Sequence, residues 1–128
     1  MPTLRITVLF LACVVSLVSV ATMSAAAHTG PAPADEYFGP FHESILGIRN
    51  HLVDLERKND GELSGHVRGI DNEEAACEAW ERQYPNDRWL PDFFSRILTL
   101  YTRTHAESGP HARSATIYLR EVRRGLRP

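Results

Sequence analysis

Cysteine is nearly absent from this chain. There are two in 128 residues, and Cys13 lies in an apolar run at the N-terminus. Downstream only Cys77 remains, so no disulfide can form within that part of the chain, and no Cys-x-x-Cys-His string offers haem attachment. Lysine occurs once, at Lys58, so basic character rests on arginine. No stretch alternates apolar and polar residues with period two, which argues against a sheet. After residue 27 no run is apolar enough to cross a bilayer. There is no Gly-x-Ser-x-Gly elbow, and Gly61, Gly65 and Gly69 match neither nucleotide-binding glycine pattern. Glu-x-x-His pairs of the di-iron bundles are missing too. These absences leave no catalytic motif and no cofactor to assign, and the reading is non-enzymatic.

The first 27 residues have a distinct composition. Arg5 and the amino terminus precede an apolar run from Ile6 to Ala21, and Ala25-Ala26-Ala27 fits a small-x-small cleavage rule. Positive end, apolar centre and small-residue site in that order predict a cleaved secretory signal over residues 1–27. An uncleaved anchor is the alternative, since Ile6 to Ala27 could just span the hydrocarbon. Phe10-Leu11-Ala12 is a poor lipobox, so Cys13 is not read as a lipid acceptor. The expected location is the periplasm or the extracellular space.

Residues 28–41 carry three prolines and two glycines and read as a linker that becomes a docking strap through Tyr37, Phe38 and Phe41. Residues 42–128 read as an all-α domain of three to four short helices. Ile45, Ile48, Leu52 and Leu55 mark one helix over about 42–58. Gly47 lies in its interior at a cost of about 1 kcal/mol, and close approach of a neighbouring element is the expected compensation. Residues 61–70 read as a loop with at most one helical turn. A second helix over about 72–84 starts from an Asp71/Glu74 capping box and stops before Pro85. The third begins near Pro91 and runs to about residue 105. The fourth spans about 111–124 and ends at Gly125.

The short link from Tyr84 to Trp89 implies an antiparallel helical hairpin. Ala76-x3-Trp80-x3-Tyr84-Pro85-x-Asp87, followed by an aromatic helix, resembles the hairpin turn of tetratricopeptide-type repeats in exported bacterial proteins. The strings Asp35-Glu-Tyr-Phe-Gly39 and Leu46-Gly-Ile-Arg-Asn50 are similar to those of small exported bacterial proteins of unassigned function. The resemblance covers about 30 residues and implies a protein-binding helical surface, with no catalytic residue to carry over.

Charge is unevenly spread. Twelve acids face four bases between residues 35 and 81, and four acids face nine bases from residue 82 onward. The two halves are expected to pair within the fold or across a dimer, rather than to form a basic tail for nucleic acid. Glu74, Glu78 and Glu81, with Glu73, read as the solvated face of an amphipathic helix. Cys77, flanked by alanines and Trp80, reads as a small buried hydrophobe, with an intermolecular disulfide as the alternative. The histidines show no i, i+4 pairing of the zinc type. A metal or small-molecule site built from His51, His105 and His111 with nearby acids is therefore the secondary reading. The leading one is a non-catalytic interaction module of the envelope or extracellular space, contacting another protein or a second copy of itself through Tyr37, Phe38, Phe41 and Trp89.

Overall fold

The computed structural model describes residues 27–108 and 110–127. The signal expected over residues 1–27 lies outside the described residues except for Ala27. The described chain is mostly helical, with five helices and a minimal strand pair.

The strap forms a two-stranded antiparallel hairpin, β1 (Tyr37–Phe38) and β2 (Glu43–Ser44), with Tyr37 opposite Ser44 and Phe38 opposite Glu43. A pair this short leaves no periodic signature to read. Helix α1 (Ile45–Glu56) follows at once, with Ser44 Oγ accepting from the Gly47 N–H as its N-cap. Gly47 is therefore in the first turn, not the interior. A Cβ there would meet nothing nearer than Ser44 Oγ at 3.5 Å, so the expected close approach of another element is absent and its role is local. The glycine-containing stretch expected as a loop holds α2 (Asp60–Ser64), fixed by a capping box between Asn59 and Glu62. Helix α3 (Val67–Gln83) starts five residues before the expected position. Asp71 and Glu74 therefore lie inside it, and their carboxylates serve tertiary contacts instead of capping. Helix α4 (Leu90–Arg103) carries Pro91 in its first turn. Helix α5 (Arg113–Arg123) is closed by Gly125 at φ +69°, with Leu126 N–H donating to Glu121 C=O and Gly125 N–H to Val122 C=O, a Schellman ending.

Around α3, α1 and α4 run antiparallel, whereas α5 runs in the same direction, with His111 before it beside Asp71 and Arg127 after it beside Glu81. Trp80 near its end meets Phe93 at the start of α4, edge to face at 5.2 Å, while Asp71 near its start meets Tyr101 near the end of α4. A Cβ added at Gly69 of α3 would meet Leu55 of α1 at 3.7 Å, and Phe94 of α4 stacks on Tyr118 of α5 at 4.4 Å. Phe38 seals one end, stacked on Trp80 and edge-on to Tyr84. This is possible because Gly39 lies directly on α3: a Cβ there would sit 2.7 Å from Ala76 Cα. The first described segment also holds to α3. His28 N–H donates to Gln83 C=O at 2.7 Å and its ring stacks on Tyr84.

Acidic and basic halves do pair internally. Arg82–Glu78, Arg96–Glu56, Arg103–Asp60 and Arg127–Glu81 all cross the boundary. Among the described residues no helix is long and apolar enough to cross a membrane.

Candidate functional site

A groove opens between α1 and the start of α4. Ile45, Leu46 and Arg49 share one face of α1. Trp89, Asp92, Phe93 and Arg96 share one face at the start of α4. With Pro31, Ala32 and Ala34 of the strap as third wall, they enclose a groove of about 800 Å³. The geometry is set by Asp87. Its buried carboxylate accepts from Ala32 N–H at 2.9 Å, Trp80 Nε1–H at 3.1 Å and Trp89 N–H at 3.1 Å, so a single side chain ties strap, core and turn together. Three N–H donors satisfy a carboxylate that burial would otherwise make costly.

The groove keeps large apolar side chains in water. Leu46 is 59% exposed and Trp89 50% exposed. Arg88 lies over the Trp89 ring at 5.2 Å. Arg96 is already held by both Glu56 carboxylate oxygens, which raises its pKa further. Arg49 and Arg88 enter no ion pair among the described residues.

Of the contact residues expected from sequence, Trp89 lines this groove. Tyr37 and Phe41 are exposed on the hairpin, outside its lining. Phe38 is 1% exposed; it belongs to the core, because the apolar face of β1 turns onto Trp80, and in this fold it cannot meet a partner. Cys77 is fully buried. Its thiol pKa is pushed up by burial and then by nearby carboxylates, foremost Glu73, so the alternative of a bridge to another chain has no route in this fold.

The three histidines considered together are dispersed. His105 is exposed at a positive φ of 55°. His111 Nδ1 lies 2.7 Å from Asp71 Oδ1, beside Tyr101. His51 Nδ1 lies 2.6 Å from Glu43 Oε2 and 3.2 Å from Glu73 Oε1. Here burial raises the Glu73 pKa to about 7, with Glu43 adding to the effect. For His51, partial desolvation is outweighed by the two carboxylates, so its pKa is raised. Sequence reasoning placed Glu73 and Glu74 on a solvated face; both are buried. The missed signal is the spacing Ile70, Glu73/Glu74, Cys77 and Trp80, an inward stripe of a helix that begins at Val67. Glu43 gave no signal, because the hairpin that carries it is too short to read.

No family model, curated protein or solved structure matches the chain.

Proposed function

We propose that this chain is an exported, non-catalytic interaction module whose groove receives an apolar segment of another envelope or secreted protein, bearing carboxylates beside its aliphatic side chains. One observation carries the reading: Leu46 and Trp89 are held half-exposed across a formed groove, by a turn whose position is fixed through Asp87. Anchors of this kind, large and rigid beside open apolar volume, are what binding surfaces use. Arg49 in the lining and Arg88 over the Trp89 ring, neither in an ion pair among the described residues, favour a partner that brings negative charge. The likeness of the α3–α4 turn to tetratricopeptide hairpins supports the same reading, as does the absence of a catalytic motif. The leader over residues 1–27 supports export.

Trp89 is its own reporter, since Trp80 is fully buried. The purified chain is titrated with a short capped peptide of leucine and aspartate, and in parallel with its leucine–lysine counterpart. The acidic peptide shifts Trp89 emission to shorter wavelength saturably, the basic one does not, and Leu46→Asp or Arg49→Glu abolishes the response. Equal responses to both peptides, no saturable response, or a response that survives Leu46→Asp overturns the groove assignment. Export is tested separately by the mass of the chain recovered from envelope and culture fractions, expected to match residues 28–128.

A further inference from the structure

Glu43, His51 and Glu73 come from three elements, β2, α1 and α3, yet their ligand atoms lie within 4.8 Å of one another. Glu73 has its side chain 5% exposed, Glu43 10%, and His51 56%. Such a pairing of acids is unfavourable by itself, because two carboxylates share a desolvated site. No arginine or lysine among the described residues comes within ion-pair distance of either. The imidazole is the sole neighbour of opposite tendency, and it satisfies only part of the set. Glu73 Oε2 is buried with no hydrogen-bond partner, and Glu43 Oε2 is met only by His51 Nδ1, at 2.6 Å. Orphaned carboxylate oxygens are costly in an interior and uncommon without a reason. By contrast the buried Asp87 and Glu74 carboxylates are supplied with N–H and O–H donors from the chain.

We propose that Glu43, His51 and Glu73 form a binding site for a divalent transition-metal ion of the zinc class, with the His51 imidazole nitrogen and one oxygen from each carboxylate as ligands. A cation between the two carboxylates gives the orphaned Glu73 oxygen a partner and replaces mutual repulsion by attraction. An ion about 2.0–2.2 Å from each ligand sets ligand atoms about 3–4 Å apart, within the span observed. The donor set selects the metal: one imidazole with two carboxylates suits zinc, manganese or iron(II), whereas calcium asks for six to eight oxygens and copper(I) for sulfur. Three protein ligands leave a zinc ion with an open position. The shallow depression of about 250 Å³ lined by His51, Asp54, Leu55, Lys58, Gly69 and Glu73 gives water and the ion access from the exposed imidazole side. A bound ion also ties hairpin, α1 and α3 into one unit. The site is separate from the groove, and the proposal does not depend on it.

The test uses the purified chain stripped with a chelator and titrated with zinc chloride, read by calorimetry and by melting temperature. One ion binds per chain, and the melting temperature rises by on the order of 10 °C at saturating zinc; calcium at the same concentration gives no rise. Removing a ligand, as in Glu73→Gln or His51→Ala, weakens zinc binding by about 100-fold or more and removes the rise. Both variants are expected to fold, since the first is isosteric and the second changes an exposed side chain; far-ultraviolet circular dichroism checks this. His105→Ala and His111→Ala, which touch other histidines, leave binding intact. Cobalt(II) substituted for zinc reports the ligand field independently of stability, and its visible spectrum changes in Glu73→Gln. Absence of saturable binding, or binding that persists undiminished in both Glu73→Gln and His51→Ala, overturns the proposal.

Discussion

Glu73 and Glu74 are neighbours in sequence and both are buried in α3, yet they point to different neighbours and live in different chemistry. Glu74 looks toward α4 and α5. It accepts from the Ala115 N–H at 2.9 Å, and Tyr101 Oη lies 3.0 Å from it and 2.7 Å from Asp71, sharing its one proton between the two carboxylates; His111 approaches Asp71 as well. Every group in that seam has a partner. Glu73 looks toward the hairpin and α1, and finds another carboxylate and one imidazole, with an oxygen left over. A buried carboxylate that is fully hydrogen-bonded fixes how helices pack. One that is left short of donors marks a place built for something else.

The largest effect expected from this contrast is on stability. Glu74→Ala strands the Ala115 N–H at the start of α5 and removes an acceptor from Tyr101, so it costs about 2–4 kcal/mol in urea unfolding of the metal-free chain. Glu73→Ala removes a charge that was poorly served, and it costs about 2 kcal/mol less than its neighbour. Equal costs at the two positions would break the comparison.

Next in size is Gly39→Ala, about 2 kcal/mol, because the added Cβ collides with the α3 backbone and φ is +71°. The hairpin carries Glu43, so this change disturbs the Glu73 side. The chemical shifts of Tyr101 and His111 should stay as they were; their movement would mean that the two seams are not separate.

A pH profile sharpens the contrast further. The folded Glu73 pKa, about 7, exceeds its unfolded value, so between about pH 4.5 and 7 the folded chain holds the extra proton and stability falls as pH rises. The raised His51 pKa acts in the same direction, its contribution being present below about pH 6.5 and lost above its folded value. Without metal the chain should therefore lose about 1–3 kcal/mol across that window, and Glu73→Gln should flatten most of the slope. Burial also raises the Glu74 pKa, but its hydrogen bonds oppose that rise, so the remaining slope is smaller. The smallest effect is at the rims. His111→Ala, half-exposed beside Asp71, costs about 0.5 kcal/mol.

Much of the helical frame was legible in the residues. The stripe Ile48, Leu52 and Leu55 is buried as its spacing requires, Pro91 opens α4, and Gly125 closes α5. What escaped was local and polar. Asn59, three residues past the end of α1, caps α2, so a segment with several glycines conceals a helical turn. Asp71 and Glu74 have the spacing of a cap, but Tyr101 and Ala115, about 30 to 40 residues away, claim their oxygens. The groove was half visible through Trp89. Its other wall, Leu46 and Arg49, came from a helix face read only for its buried side. The Glu43–His51–Glu73 cluster depends on a hairpin of four paired residues, for which spacing in the chain gives no clue.

The His28 contact bears on where the chain begins. Its N–H points at the last residue of α3, at the negative end of that helix's dipole. In the uncut chain this nitrogen is an ordinary neutral amide. In a chain cut after Ala27 it becomes an ammonium group, with charge and extra hydrogens aimed at the same carbonyl, worth about 0.3–1 kcal/mol. A single residue left ahead of His28 in such a cut chain, or an acetyl group on its nitrogen, would undo the gain.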